Sequence, residues 1–307
     1  MTQQSDNQKI SVAQNFLDVA KQDLTSSKIL YRNSLFPQAL FFLQQSVEKG
    51  YKSYHLLSEL DNDKKDLKIG TLSTRKIGHT PTKITERIAS KAEKRILSIK
   101  ENIGLYPHPE EIYAVIGTDF SRLIRDLSES RKKYSQISKK SDMCKNINYN
   151  VLDELLSELF QLSRRSNETI RVIRNITFDE STKKRMKKEY EKLMIPIFQQ
   201  IPGNSKNQID EFTELFGDNF EQFEPTYKAF MEIFVESGYV NAIYAQLSVI
   251  TQAHENLTRY PEIDKSPLLI YSQRHPIIRR FNTITWFTSI AHRKMDNFFI
   301  DTTSNSL

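Results

Sequence analysis

The sequence predicts an all-α fold, and three observations support that prediction. Only 8 glycines and 10 prolines occur in 307 residues, whereas a β-sandwich or barrel needs a turn signal every ~8–12 residues. Apolar side chains recur three and four positions apart along most of the chain, which is the period of a helix with one buried face. No stretch shows the strict alternation of a half-buried strand.

The N-terminal region is predicted to form a helical hairpin. Helix one covers residues 12–34, where apolar or small side chains form a stripe at Ala13, Leu17, Ala20, Leu24, Ser27 and Tyr31. Pro37 suits the first turn of helix two, because its missing N–H needs no partner there. Helix two runs to Leu60, with a stripe at Leu40, Leu43, Val47, Tyr51, Tyr54 and Leu57. The short joint between the helices predicts an antiparallel pair with facing stripes.

The middle of the chain is predicted to alternate helices with polar connections. Residues 61–80 show no sustained period and are predicted to form a loop. Helical patterning covers residues 81–101 and 110–138, and a polar linker follows at residues 138–150. Residues 151–175 are strongly amphipathic. Asp179 then caps a further helix, which stops at Pro202 and Gly203.

The last third of the chain is the most apolar. A long helix is predicted from Pro225 to Tyr260, with Gly238 as its weak point. Pro261 ends it, and a short proline-containing segment follows. The closing helix is predicted over residues 277–299, with a stripe at Ile278, Phe281, Ile284, Trp286, Phe287, Ile290 and Met295.

Composition excludes several classes of protein. The single cysteine, Cys144, excludes an intrachain disulfide and a thiolate zinc site. The polar start lacks the apolar core of a signal peptide, and no apolar run approaches the ~18 residues of a membrane span. Together with a mean hydropathy of −0.54, these features predict a cytoplasmic protein that does not associate with membranes.

The net charge of +6 is unevenly distributed. Residues 64–145 carry 19 Lys and Arg against 10 Asp and Glu, an excess that suits either a solvated helix face or attraction to nucleic-acid phosphates. Residues 210–223 are acidic and rich in phenylalanine. They are interpreted as an amphipathic segment that either packs in the chain's own core or docks a partner protein.

Recognisable metal and cofactor motifs are missing from the sequence. It contains no glycine-rich phosphate loop, no HExxH, no CxxC and no Asp-rich calcium loop, so neither a metal nor a cofactor is predicted. Of the six histidines, His55 and His108 are interpreted as structural.

Two pairs with i,i+4 spacing predict local contacts on helices. Glu48 and Lys52 stand in the favourable order for an exposed ion pair worth a few tenths of a kcal/mol. His292 and Asp296 share one helix face, which suits a stabilising hydrogen bond between them.

Two motifs resemble the HEPN family. Residues 44–52, QQSVEKGYK, match a Q-Q-x-x-E-K-x-x-K helix. The helix before it contains Asp23 and Leu24, and the loop after it contains residues 78–79, Gly-His. Residues 258–262, TRYPE, resemble the R-Y-P-D segment that precedes the closing helix in many members.

The resemblance covers residues 12–85 and 240–300 and implies a four- or five-helix bundle built from both ends of the chain. The implied organisation is a polar tail (1–11), the N-terminal half of the bundle (12–85), a helical insertion or second lobe (86–224), the C-terminal helices of the bundle (225–300) and a polar tail (301–307).

The HEPN resemblance also implies a function. It implies an RNA-directed protein of a prokaryotic defence or toxin system that works as a homodimer. Many members of the family are metal-independent endoribonucleases, and the resemblance implies that activity here. The implied partners are RNA, a second copy of the chain and an antitoxin or defence-system protein. The alternative is a non-catalytic interaction or nucleotide-sensing module that docks a partner protein.

The usual HEPN active site separates an arginine from a histidine by four to six residues. Imidazole handles protons while the ribose 2′-OH attacks, and guanidinium neutralises charge on the phosphate. Arg75 and His79 come closest to this pattern but are separated by one residue too few. His254 and Arg259 supply the same residue types in reverse order on the long helix. The candidate catalytic residues are therefore His254, Arg259 and His79.

A second candidate group lies at the start of the closing helix. Arg274, His275, Arg279 and Arg280 form a dense cationic cluster suited to phosphate contact. His275 and Arg279 share a face if the helix already includes His275. In the structural alternative, Arg259 ties down the turn that follows it, and Arg279 and Arg280 serve as surface charge or as ion-pair partners.

Overall fold

The computed structural model describes residues 2–58, 149–175, 220–254 and 266–304, together with isolated positions between these segments. The described helices, labelled in chain order, are α1 (Thr2–Arg32), α2 (Phe36–Ser58), α3 (Tyr149–Asn175), α4 (Phe220–Gln252), α5 (Pro267–Ile270), α6 (Pro276–Arg279) and α7 (Phe281–Ser304). No described residue lies in a strand, so the all-α prediction is confirmed for this part of the chain. None of the described helices has the length and apolar character needed to cross a membrane.

Helices α1 and α2 form the predicted antiparallel hairpin. Three buried serine hydroxyls donate to backbone carbonyls across the pair, each at 2.7 Å: Ser27 to Ala39, Ser46 to Ala20 and Ser53 to Ala13. The chain reverses at Ser34, whose φ of 61° lies in the left-handed region. All residues of the two predicted stripes are buried except Tyr31 and Leu57, which are half-buried.

Both ends of the chain belong to one compact unit, which comprises residues 1–90, 130–166 and 236–307. Helix α7 packs on α1 through Tyr31 and Phe281, whose rings stack with centroids 4.1 Å apart. Helix α4 packs on α2, where the Tyr51 hydroxyl and Asn241 Oδ1 are 2.9 Å apart. These contacts place the C-terminal helices beside the N-terminal hairpin.

The first half of α3 belongs to the same core. Its buried side chains are Val151, Leu152, Leu155, Leu156 and Leu159. The Gln246 side-chain amide of α4 donates to Glu158 of α3 at 3.1 Å. A second unit comprises residues 91–129 and 167–235, and within it Arg174 and Glu232 form an ion pair at 2.6 Å.

The long helix differs from its prediction at both ends. It begins at Phe220, five residues before Pro225, and it ends at Gln252 rather than at Tyr260. The His254 amide donates to the Thr251 carbonyl at 3.1 Å, a three-residue step that closes the helix in a tighter turn. Gly238 does not interrupt it.

The predicted closing helix is divided at its start. Helix α6 ends at Arg279, Arg280 occupies a turn, and α7 begins at Phe281. Trp286, which the stripe placed in the core, is 48% exposed, whereas its neighbour Phe287 is fully buried.

Two local pairs also differ from their predictions. Lys52 Nζ and Glu48 Oε1 form the expected ion pair at 2.6 Å, but their side chains are only 13% and 5% exposed. The Asp296 carboxylate binds Lys21 of α1 instead of His292. Tertiary contacts, which the local spacing does not contain, set both outcomes.

Several predictions fall on other parts of the chain. The loop at 61–80, the helix at 81–101, nearly all of 110–138, the cap at Asp179 and residues 210–219 lie outside the described residues.

Candidate functional site

The structure brings two of the predicted site histidines together around a tyrosine that the sequence did not single out. His254 Nδ1 lies 2.9 Å from the Tyr271 hydroxyl. The ring of His275 lies 4.9 Å from that of Tyr271 and 5.7 Å from that of His254, centroid to centroid. His254, Tyr271 and His275 are all buried, and we call them the histidine–tyrosine cluster.

Backbone structure holds each member of the cluster in place. His254 occupies the turn that closes α4, and Tyr271 follows α5, where its amide donates to the Pro267 carbonyl at 2.9 Å. His275 is the N-cap of α6, and its Nδ1 accepts a hydrogen bond from the Ile277 amide at 3.4 Å. A histidine in this role satisfies one of the amides that a helix start leaves without a helical partner.

Burial controls the electrostatics of the cluster. Desolvation, with a smaller contribution from the charge of His275, lowers the pKa of His254 to about 3. Desolvation lowers the pKa of His275 to about 4 and raises that of Tyr271 well above its ordinary value. All three groups are therefore uncharged at neutral pH.

Neutral imidazoles can accept or donate a proton at defined atoms. Because Nδ1 of His275 accepts from a backbone amide, its proton lies on Nε2, which is a donor. His254 and Tyr271 share one hydrogen bond, in which either group can donate. The cluster can therefore offer one N–H donor and one hydrogen-bond acceptor without adding net charge.

The predicted cationic residues have different environments in the structure. Arg280 binds Asp153 of α3 through Nε and Nη2, at 2.8 and 3.0 Å. This bond, with the charge of Arg279 as a lesser cause, lowers the pKa of Asp153. Arg274 and Arg279 are exposed, whereas His275 is buried, so His275 and Arg279 do not present a common face.

Of the two remaining predicted catalytic residues, the structure describes Arg259. Arg259 lies beyond the end of α4, with its guanidinium carbon 4.6 Å from the centroid of the Phe41 ring. It therefore packs on helix α2 through a cation–π contact. His79 lies outside the described residues.

Sequence reasoning missed Tyr271 and Asp153. Tyr271 precedes His275 by four residues, which was the only signal available for it. Asp153 lies 127 positions before Arg280, so only the packing of α3 against the start of α7 reveals the pair.

Within the described segments, no group of three or more His, Cys, Asp or Glu side chains is arranged to hold a metal ion. No protein-family model, no curated protein and no solved structure matches this chain.

Proposed function

We propose that the protein is an HEPN-like, RNA-directed protein of a prokaryotic defence or toxin system. It acts as a metal-independent endoribonuclease, works as a homodimer and is controlled by an antitoxin or another defence-system protein. The observation that carries the proposal is the meeting of His254 and His275, both neutral, around Tyr271. The HEPN-like motifs supply the choice of RNA as substrate.

The cluster suggests a division of roles between the two histidines. His254 accepts the proton of the attacking ribose 2′-OH through Nε2, and Tyr271 fixes that tautomer by accepting a hydrogen bond from Nδ1. As the 2′-oxygen bonds to phosphorus, the P–O5′ bond breaks, and His275 donates its Nε2 proton to the leaving 5′-oxygen. The exposed guanidinium groups of Arg274 and Arg279 lie on the same chain segment as His275 and supply positive charge for the phosphate.

Cleavage of RNA in EDTA by purified variants tests the proposal. The informative variants are His254→Ala and His275→Asn, since Asn at position 275 retains an acceptor for the helix cap. Each should slow cleavage by about 10²–10⁴-fold, the range that general acid–base catalysis contributes. Arg293→Ala, at an exposed position in the middle of α7, is the matched control and should cleave at the wild-type rate.

Two results would overturn the assignment. One is cleavage of RNA by both histidine variants at the wild-type rate. The other is the absence of cleavage by the wild type, with or without Mg²⁺. Thermal unfolding of each variant separates a lost catalytic group from a lost fold.

A docking module is the second candidate function. Leu268 and Leu269, in the short helix α5, are 68% and 82% exposed. Adjacent exposed leucines suit contact with a partner protein. If the protein is a docking module, Leu269→Ser should abolish capture of the partner protein, and the wild type should not cleave RNA.

A further inference from the structure

A cleft lies between α3 and the start of α7, apart from the histidine–tyrosine cluster. It has a volume of about 500 Å³, within the range of ~300–1,000 Å³ typical of ligand sites. Its walls carry the side chains of Asp153, Phe160, Gln161, Arg164 and Arg280. The cleft therefore combines an aromatic surface with two guanidinium groups.

The aromatic surface is formed by two half-exposed rings. Phe160 is 50% exposed and Trp286 is 48% exposed. Their ring centroids are 5.9 Å apart with planes 26° from parallel. Phe287, fully buried, meets both rings edge-on at 4.9 and 4.7 Å and holds them in place. Such fixed, exposed aromatic faces are the surfaces on which proteins stack nucleobases.

The charged wall complements a phosphate. Arg280 gives Nε and Nη2 to Asp153, and its Nη1 makes no hydrogen bond to any described residue. Arg164 stands on the same wall as Arg280. The Asp153 pair fixes the plane of the Arg280 guanidinium, which orients Nη1 for a phosphate oxygen.

We propose that this cleft, which we call the Phe160 cleft, binds a single-stranded RNA segment. One base stacks on the Phe160–Trp286 surface, and an adjoining phosphate contacts Arg280 and Arg164. The choice of RNA as the occupant rests on the proposed function. The binding chemistry, a nucleobase with a phosphate, follows from the cleft itself.

Trp286, the only tryptophan of the protein, packs against Phe160 of the cleft wall, so its fluorescence reports on the occupancy of the cleft. Full-length protein is titrated with fully 2′-O-methylated octauridylate, which has no free 2′-OH and cannot be cut by 2′-OH attack, while Trp286 fluorescence is followed. We expect saturable quenching that weakens as salt rises. Phe160→Leu and Arg280→Gln should each weaken binding by about tenfold. Arg293→Ala should leave it unchanged.

Several results would overturn the proposal. These are the absence of quenching, unaltered binding by Phe160→Leu, and quenching by uridine monophosphate as strong as that by the oligonucleotide, which would assign the cleft to a free nucleotide. Concentration-dependent self-association that Phe160→Leu abolishes would assign it to a second copy of the chain.

The test separates this proposal from the ribonuclease assignment. Because His275 does not line the Phe160 cleft, His275→Asn should retain saturable quenching of Trp286 by the oligonucleotide. Loss of cleavage by that variant with normal quenching therefore concerns the histidine–tyrosine cluster alone.

Discussion

His254 and Tyr271 are 17 residues apart in the chain, and their side chains meet at 2.9 Å between Nδ1 and Oη. This contact fastens the segment that carries α5 and α6 to the end of α4. Because His275 packs against Tyr271 in the same place, one buried hydrogen bond helps to position both candidate histidines.

Three buried histidines should make stability depend on pH. The folded-state pKa is lowered from 6.5 to about 3 for His254 and His292 and to about 4 for His275. Burial is the main cause, and Lys21 and Lys28 lower that of His292 further. The unfolded chain therefore binds more protons below pH 6.5, so the stabilisation is complete above that pH and is lost progressively as the pH falls toward 4 for His275 and toward 3 for His254 and His292.

Urea unfolding at pH 7.5, 6.5 and 5.5 checks this expectation. The free energy of unfolding should fall between the first and last values, a window in which ordinary carboxylates remain ionised. An unchanged free energy of unfolding across the series would contradict the buried, neutral state of the three rings.

His275 should stabilise the protein through its cap as well as its packing. His275→Ala removes the acceptor for the Ile277 amide and should cost about 1 kcal/mol more than His275→Asn, which restores an acceptor at the N-cap. Thermal denaturation of the two variants measures the difference. Equal melting temperatures would show that the cap bond contributes nothing.

The Glu48–Lys52 pair should behave as a buried pair rather than an exposed one. Glu48→Ala leaves the Lys52 ammonium, 13% exposed, without this carboxylate and should destabilise the protein by about 3–5 kcal/mol. The double variant Glu48→Leu, Lys52→Met removes both charges and should recover most of that loss. Denaturant titration of the single variants Glu48→Leu and Lys52→Met and of the double variant gives the coupling energy, and strictly additive losses would contradict it.

The packing around Gly50 leaves no room for a Cβ atom. A Cβ at that position would lie 2.6 Å from the Tyr244 hydroxyl and 2.9 Å from Nε2 of His292. Gly50→Ala should therefore destabilise the protein by about 1–3 kcal/mol. Gly238→Ala is the matched control, since its Cβ would meet nothing within 4 Å and alanine favours a helix.

Tyr51 and Tyr244, whose rings stack with centroids 5.6 Å apart, should respond differently to loss of their hydroxyls. The Tyr244 hydroxyl is buried without a hydrogen-bond partner among the described residues, so Tyr244→Phe should leave stability unchanged or raise it. Tyr51→Phe loses the bond to Asn241 and should cost about 0.5–1.5 kcal/mol. Melting temperatures in the opposite order would contradict this difference.

The helical hairpin could be predicted from the sequence because its information is local. The stripes of α1 and α2 repeat at helical spacing, and a short joint leaves only an antiparallel return. The same reasoning failed for Trp286, because the spacing of an aromatic residue on an apolar stripe does not show whether another helix packs over it. The burial of Lys52 and the pairing of Asp296 with Lys21 were missed for the same reason.

The candidate site could be predicted only in part. Residue type pointed to His254 and His275, but their meeting depends on how the chain returns after α4, which no spacing rule contains. The sequence placed His275 and Arg279 on one face only if the helix already includes His275, and in the structure Pro276 begins α6 and His275 is its N-cap.

The chemistry of the RNA ends tests the central claim most directly. Purified protein is incubated with RNA in EDTA, and the 3′ ends of the products are identified by mass spectrometry. Attack by the ribose 2′-OH at the histidine–tyrosine cluster predicts 2′,3′-cyclic phosphate ends, which disappear with His254→Ala. Products with 3′-hydroxyl ends, or intact RNA with and without Mg²⁺, would contradict the claim.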